Sequence, residues 1–111
     1  MQIKHLSDDF SVSPQLTEFD MSVVKDKGFR SIVCNRPDDE APGQTPFSKI
    51  AELAASVGVA AHYLPVESGA IRPEDAAAFR SLVTDLPKPV LAYCRTGSRS
   101  AMLWNTTRAK R

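Results

Sequence analysis

Near its C-terminal end the chain places a cysteine, a glycine and two arginines within six residues, Cys94-Arg95-Thr96-Gly97-Ser98-Arg99, followed by Ser100. Those residue types at that spacing suit a nucleophile that works on an anion. Pro89 to Tyr93 reads as a short buried strand, and Arg99 or Ser100 opens a predicted helix that runs through Trp104. A turn from strand to helix can wind its backbone N–H groups around one point. Gly97 permits an unusual backbone angle or a close approach there. The new helix adds its positive N-terminal end, which favours an anion and a thiolate at Cys94. Arg99 offers a planar fork to the oxygens of a phosphate or another oxyanion, and Arg95 adds a second positive charge. Arginines in a first turn oppose the helix dipole, so helix stability alone does not account for them. The chemistry read from the loop is nucleophilic catalysis by Cys94, with Thr96, Gly97 and Ser98 completing the anion cradle.

Other residues fall beside this loop. Ser100 reads as a residue that satisfies the helix N-terminal donors. Arg36 and Asp38 leave a strand on the predicted site edge, as pocket wall or as a solvated turn. Cys34, also at a strand end, either resolves an oxidised Cys94 or is a small buried hydrophobe. His5 and His62 stand alone, with no second ligand at metal spacing, and neither a metal nor a cofactor is predicted.

The elements that must position the loop alternate in type. Phe10 to Val12 reads as extended, and Leu16, Phe19 and Val23 as one helix face from Thr17, capped by Gly28. Ser31–Asn35 is a β-branched strand running into the turn-rich stretch 36–43. Phe47, Ile50, Ala51, Ala54 and Val57 mark a second helix, ended by Gly58. Val59 to Leu64 follows as a strand. Pro73 starts a third helix that carries Phe79, Leu82, Val83 and Leu86 and stops at Pro87. On the last helix Met102, Leu103 and Trp104 are expected to pack under the sheet. This alternation predicts an α/β fold: one domain over 1–111, with a largely parallel sheet of four to five strands and helices on both faces. Its ligand belongs beyond the carboxyl ends of the strands.

Composition sets the outer bounds. A chain of 111 residues suits a single domain, and a net charge of +1 gives no global reason to bind nucleic acid or an anionic membrane. No stretch approaches the roughly 18 apolar residues of a membrane span. Two cysteines are too few for a disulfide framework, and the expected location is cytoplasmic. The short basic end, Arg108 to Arg111, reads as a solvated helix terminus.

The loop Cys94-Arg95-Thr96-Gly97-Ser98-Arg99 resembles the six-residue active loop of rhodanese-type sulfurtransferases. Over nearly the whole chain the resemblance is to another family. Phe10-Ser11-Val12-Ser13-Pro14-Gln15, Asn35-Arg36-Pro37-Asp38-Asp39-Glu40, Leu64-Pro65-Val66 and the final Cys-Arg-Thr-Gly-Ser-Arg-Ser resemble the β-lactamase-hydrolase-like, phosphatase-like domains. That resemblance implies a fold like the dual-specificity phosphatases. It also implies fusion to, or partnership with, a persulfide-metabolising metallohydrolase, and sulfur transfer as an activity. Resemblance to phosphatase-like loops implies, for Ser100, a hydroxyl that hydrogen-bonds the thiolate. Tyrosine phosphatases have five residues between cysteine and arginine, whereas Cys94 and Arg99 are separated by four. Where those phosphatases carry a general-acid Asp, this chain has Ser68, with Glu67 beside it as a substitute acid. A serine hydroxyl does not usefully protonate a leaving alkoxide at neutral pH.

Three functions follow from the sequence. The first is a sulfurtransferase that carries sulfane sulfur as a Cys94 persulfide, with a small anionic or sulfane-sulfur substrate. The alternative is a phosphatase-like hydrolase of phosphoesters through a Cys94 phosphocysteine. The third is a non-catalytic anion- or redox-sensing module.

Overall fold

The computed structural model describes residues 1–109, with side chains through Thr107. In chain order its elements are β1 (Lys4–Ser7), β2 (Phe10–Ser13), α1 (Met21–Asp26), β3 (Ser31–Cys34), α2 (Phe47–Ser56), β4 (Ala60–Tyr63), α3 (Pro73–Asp85), β5 (Val90–Tyr93) and α4 (Ser98–Ala109). Every residue of β2, β3 and β5 is buried. The largely apolar β3 and β5 match that burial, because a parallel sheet covered on both faces offers no solvent side; β2 alternates Phe10 and Val12 with Ser11 and Ser13 and is buried all the same.

The five strands form one sheet in the order β1-β2-β5-β3-β4. β1 runs antiparallel to β2, and the other pairings are parallel. β5 is therefore central, and in its register Tyr93 lies opposite both Ser13 of β2 and Cys34 of β3. The carboxyl ends of three neighbouring strands finish level, and Cys94 is the next residue. Side chains alternate between two cores. Ile32, Cys34, Leu91 and Tyr93 pack with Met21 and Val24 of α1 and Ile50 and Ala54 of α2. Val33, Val90 and Ala92 pack with Phe79 and Val83 of α3 and Leu103 of α4. The expected two-sided α/β sheet is present.

Local differences from the sequence reading have identifiable causes. β1 was not anticipated: Lys4–Ser7 is mostly exposed and lacks a strong alternating pattern, and it becomes a strand by pairing with β2 across the turn at Asp8-Asp9. The helix expected from Thr17 begins only at Met21. Thr17 and Asp20 instead form a turn, in which Thr17 N–H donates to Asp20 Oδ2 at 2.8 Å and Asp20 N–H donates to Thr17 O at 3.1 Å. That shift sets Met21 and Val24 inward and leaves Phe19 81% exposed, so Phe19 is not part of the buried face. Leu103 is fully buried as expected, and Trp104 stacks on Phe10 with ring centroids 4.2 Å apart. Met102 does not pack under the sheet; it is 56% exposed. No described helix is long and apolar enough to cross a membrane. The basic end at 108–111 lies outside the described side chains.

Candidate active site

Tyr93 ends β5 in the core, and the chain then turns back on itself. Gln15 N–H donates to Arg95 O at 3.2 Å, tying the turn to the segment after β2. Gly97 sits at φ +95°, a left-handed conformation that side chains disfavour, and a Cβ there would lie 3.4 Å from the backbone of Ser13. This conformation aims Gly97 N–H at Cys94 Sγ, to which it donates at 3.1 Å. Ala101 N–H then donates to Gly97 O at 3.0 Å as α4 begins. Cys94 itself is buried.

Arg99, in the first turn of α4, is 8% exposed and held from behind. Its Nη1 donates to Glu40 Oε2 at 3.0 Å and to Val66 O at 2.9 Å, and its Nη2 donates to Glu40 Oε1 at 3.2 Å. Its buried Nε has no hydrogen-bond partner. Glu40 also accepts from Arg36 Nε at 2.9 Å, and Arg36 Nη1 donates to Gln15 Oε1 at 3.1 Å. Two guanidiniums thus share one carboxylate. Burial opposes ionisation of Glu40, but the hydrogen bonds from Arg99 and Arg36 outweigh it together, and its pKa lies below the ordinary glutamate range.

A cleft of about 380 Å³ opens over this loop, lined by Cys94, Arg95, Thr96, Ser98 and Arg99 together with Ser68, Gly69, Ile71 and Met102. A cleft of about 350 Å³ at the other end of the sheet, near Asp9, Arg80 and Lys88, contains no cysteine. The structure therefore brings together Cys94, Arg95, Thr96, Ser98 and Arg99, while Gly97, buried, lines an adjacent cleft. Four other sequence candidates lie elsewhere. Ser100 is fully buried, and its hydroxyl donates to Asn35 Oδ1 at 2.8 Å, not to Cys94. Arg36 is committed to Glu40 and Gln15 and does not line the cleft. Glu67 is exposed and outside the lining, where Ser68 is present and no carboxylate is. Asp38 caps α2, its Oδ1 accepting Phe47 N–H at 2.9 Å.

Cys34 faces the α1/α2 core, and its thiol donates to Arg36 O at 3.2 Å. Burial pushes the Cys34 thiol up. Among the described residues both cysteines are free, and no group of three or more His, Cys, Asp and Glu could hold a metal.

Two positioning residues escaped the sequence reading. Glu40 was visible only as part of a polar turn. Asn35 is fully buried: its N–H donates to Tyr93 O at 2.8 Å, its Nδ2 donates to Leu64 O at 3.0 Å, and its Oδ1 takes the Ser100 bond. It knits together the ends of β3, β4 and β5 and the start of α4. A polar residue directly after a β-branched strand was the available signal, and it also fits an ordinary turn.

Residues 2–111 match the family described as beta-lactamase hydrolase-like protein, phosphatase-like domain. The chain belongs to this family. A candidate phosphatase from Neisseria meningitidis, solved as a crystal structure, is 40% identical with a TM-score of 0.92, covering 98% of this chain and 78% of that one. A beta-lactamase hydrolase-like protein of Agrobacterium fabrum is 28% identical over 104 residues, 94% of this chain. This chain spans only 24% of that relative's length. The core catalytic domain of the PP-IP phosphatase SIW14 from S. cerevisiae, crystallised with citrate, shares the fold at a TM-score of 0.68 and 14% identity, covering 96% of this chain and 74% of that one. The phosphatase-like fold and its neighbours fit a cysteine-based hydrolase.

Proposed function

We propose that this domain is a cysteine-dependent phosphatase for substrates whose leaving group departs without a proton. The observation that carries the reading is Arg99: it lines the Cys94 cleft, Glu40 and Val66 fix its Nη atoms, and its buried Nε has no partner. An unsatisfied buried donor costs about 1–3 kcal/mol, which a bound oxyanion would recover. In the proposed reaction the Cys94 thiolate attacks phosphorus, the S–P bond forms, and the bond to the leaving oxygen breaks. Loop N–H groups and Arg99 hold the phosphoryl oxygens. Water then displaces the thiolate, releasing phosphate and one proton. Phosphoanhydrides suit a cleft with no carboxylate, since their leaving groups are already weak bases. The PP-IP phosphatase neighbour is compatible with that substrate class.

Sulfur transfer is the second reading, favoured by the four-residue spacing from Cys94 to Arg99. Cys94 would attack the outer sulfur of thiosulfate, sulfite would leave with the bonding pair, and a thiol or cyanide would take the sulfur. A persulfide-metabolising metallohydrolase would then be a fitting partner. Intact mass after incubation with acetyl phosphate, and separately with thiosulfate, tests both readings. A phosphoryl adduct absent from Cys94→Ser supports the phosphatase; an adduct of one sulfur, removed by cyanide, replaces it with sulfur transfer. Anion binding without either adduct would instead make the domain a sensing module.

A further inference from the structure

The lining of the Cys94 cleft is of two kinds. Arg95, Thr96 and Ser98 present charge and hydroxyls, while Ile71 and Met102 present aliphatic surface. Met102 is 56% exposed, one of four large hydrophobic residues left exposed among the described residues. A single exposed methionine is unremarkable on a surface; this one stands one helical turn beyond Ser98, on the rim of the nucleophile's cleft. Positive charge there is limited. Arg95 and Arg99 are the cations of the lining, and Arg99 already shares its charge with Glu40. A neighbouring cleft of about 330 Å³, which also touches Thr96 and Ser98, adds Lys4.

We infer that the preferred substrates are acyl phosphates with an apolar body, and that Met102 is a specificity-determining residue for that body. This inference rests on the phosphatase reading above and narrows its substrate class. A multiply phosphorylated ring would bring many charges to a site with two guanidiniums, and each unpaired anion at the cleft would oppose binding. Inorganic pyrophosphate would place a second anion where Ile71 and Met102 offer only hydrocarbon. An acyl phosphate divides as the cleft does. Its phosphoryl group fits the loop and Arg99, and its hydrocarbon covers Met102. When Cys94 Sγ bonds phosphorus, the P–O bond to the acyl oxygen breaks and a carboxylate leaves with the electron pair. That carboxylate needs no proton, consistent with a lining that offers no acid. Water then cleaves the S–P bond to give phosphate and a proton.

The test compares kcat/KM for benzoyl phosphate, acetyl phosphate and inorganic pyrophosphate in the wild-type protein and in Met102→Ala. Benzoyl phosphate should exceed acetyl phosphate by about tenfold, as expected for added hydrocarbon in an apolar site, with pyrophosphate slowest. Met102→Ala should shrink the benzoyl-to-acetyl ratio about fivefold, mainly through KM for benzoyl phosphate. A side chain so exposed is replaceable without unfolding, which a thermal melt verifies. Equal turnover of all three donors, with phosphocysteine formed from each, overturns this inference and leaves the phosphatase reading standing. So does a ratio unmoved in Met102→Ala. Absence of phosphocysteine from every donor overturns both.

Discussion

Glu40→Gln is the perturbation that most directly tests how the site is held. It preserves shape and removes the carboxylate charge shared by Arg36, 5% exposed, and Arg99, 8% exposed. Removing one member of a fully buried ion pair costs about 3–5 kcal/mol. The Glu40 side chain keeps 24% of its surface in water, which lowers the expected cost to about 2–3 kcal/mol. Arg99 retains its bond to Val66 O, so the fold survives while the guanidinium loses its fixed plane. Misplacing a positioning group by about 1 Å can cost about a hundredfold in rate, so kcat should fall roughly 10–100-fold. KM should hold or improve, because Arg99 is no longer neutralised. The assay is kcat and KM with acetyl phosphate, beside a urea melt. The acid side offers a second check. Glu40 has a folded pKa below its unfolded one, so its stabilisation is present above the ordinary glutamate range and is lost as pH falls through the lowered value. Glu40→Gln should abolish that part of the acid-induced loss. A kcat within twofold of wild type, or a defect confined to KM, would refute the clamp.

Other outcomes follow from the same contacts. Ser100→Ala leaves Asn35 Oδ1 unpaired in the core and should cost about 1–3 kcal/mol in urea unfolding; a changed pH–rate profile instead would restore a role at the thiolate. Gly97→Ala must adopt φ +95°, at a cost of about 1–3 kcal/mol, and displaces the N–H that faces Cys94; kcat/KM should drop at least about tenfold, and unchanged turnover would remove that N–H from the mechanism. Cys34 packs toward α1 and α2, whereas the Cys94 cleft includes Ile71, which packs on the other core. Peptide mapping after peroxide should therefore find no Cys34–Cys94 disulfide, and finding one would sink the opposed-face placement.

The parallel sheet was legible because its central strands are written as short apolar runs: Ile32-Val33-Cys34 and Val90-Leu91-Ala92-Tyr93 need no partner to be recognised. The turn at Cys94–Arg99 was legible for a related reason, since its residue types, its glycine and its strand-to-helix setting are all local. What escaped was relational. Lys4–Ser7 becomes a strand through pairing with β2. Glu40 matters because the fold carries a turn 59 residues away onto Arg99. Asn35 and Ser100 are unremarkable polar residues until β3 and α4 bring them within 2.8 Å. Phe19 misled because a favourable helical spacing continued across a turn fixed by Asp20. Periodicity reports which face is apolar only after the helix start is known.

The placement of Glu40 also bears on what the site is for. A carboxylate in contact with the arginine proposed to hold the anion works against affinity, since it neutralises the charge a substrate would meet. Tight capture of an anion would be better served by Arg99 and Arg36 with that carboxylate absent. What Glu40 provides instead is direction: with both Nη atoms engaged, Nε is the guanidinium nitrogen left without a partner. Lowering ground-state affinity while fixing a donor in place favours interactions that strengthen as charge develops on the transferred group. The exchange makes sense for turnover and little sense for storage or sensing. That asymmetry is the physical reason for reading the domain as an enzyme.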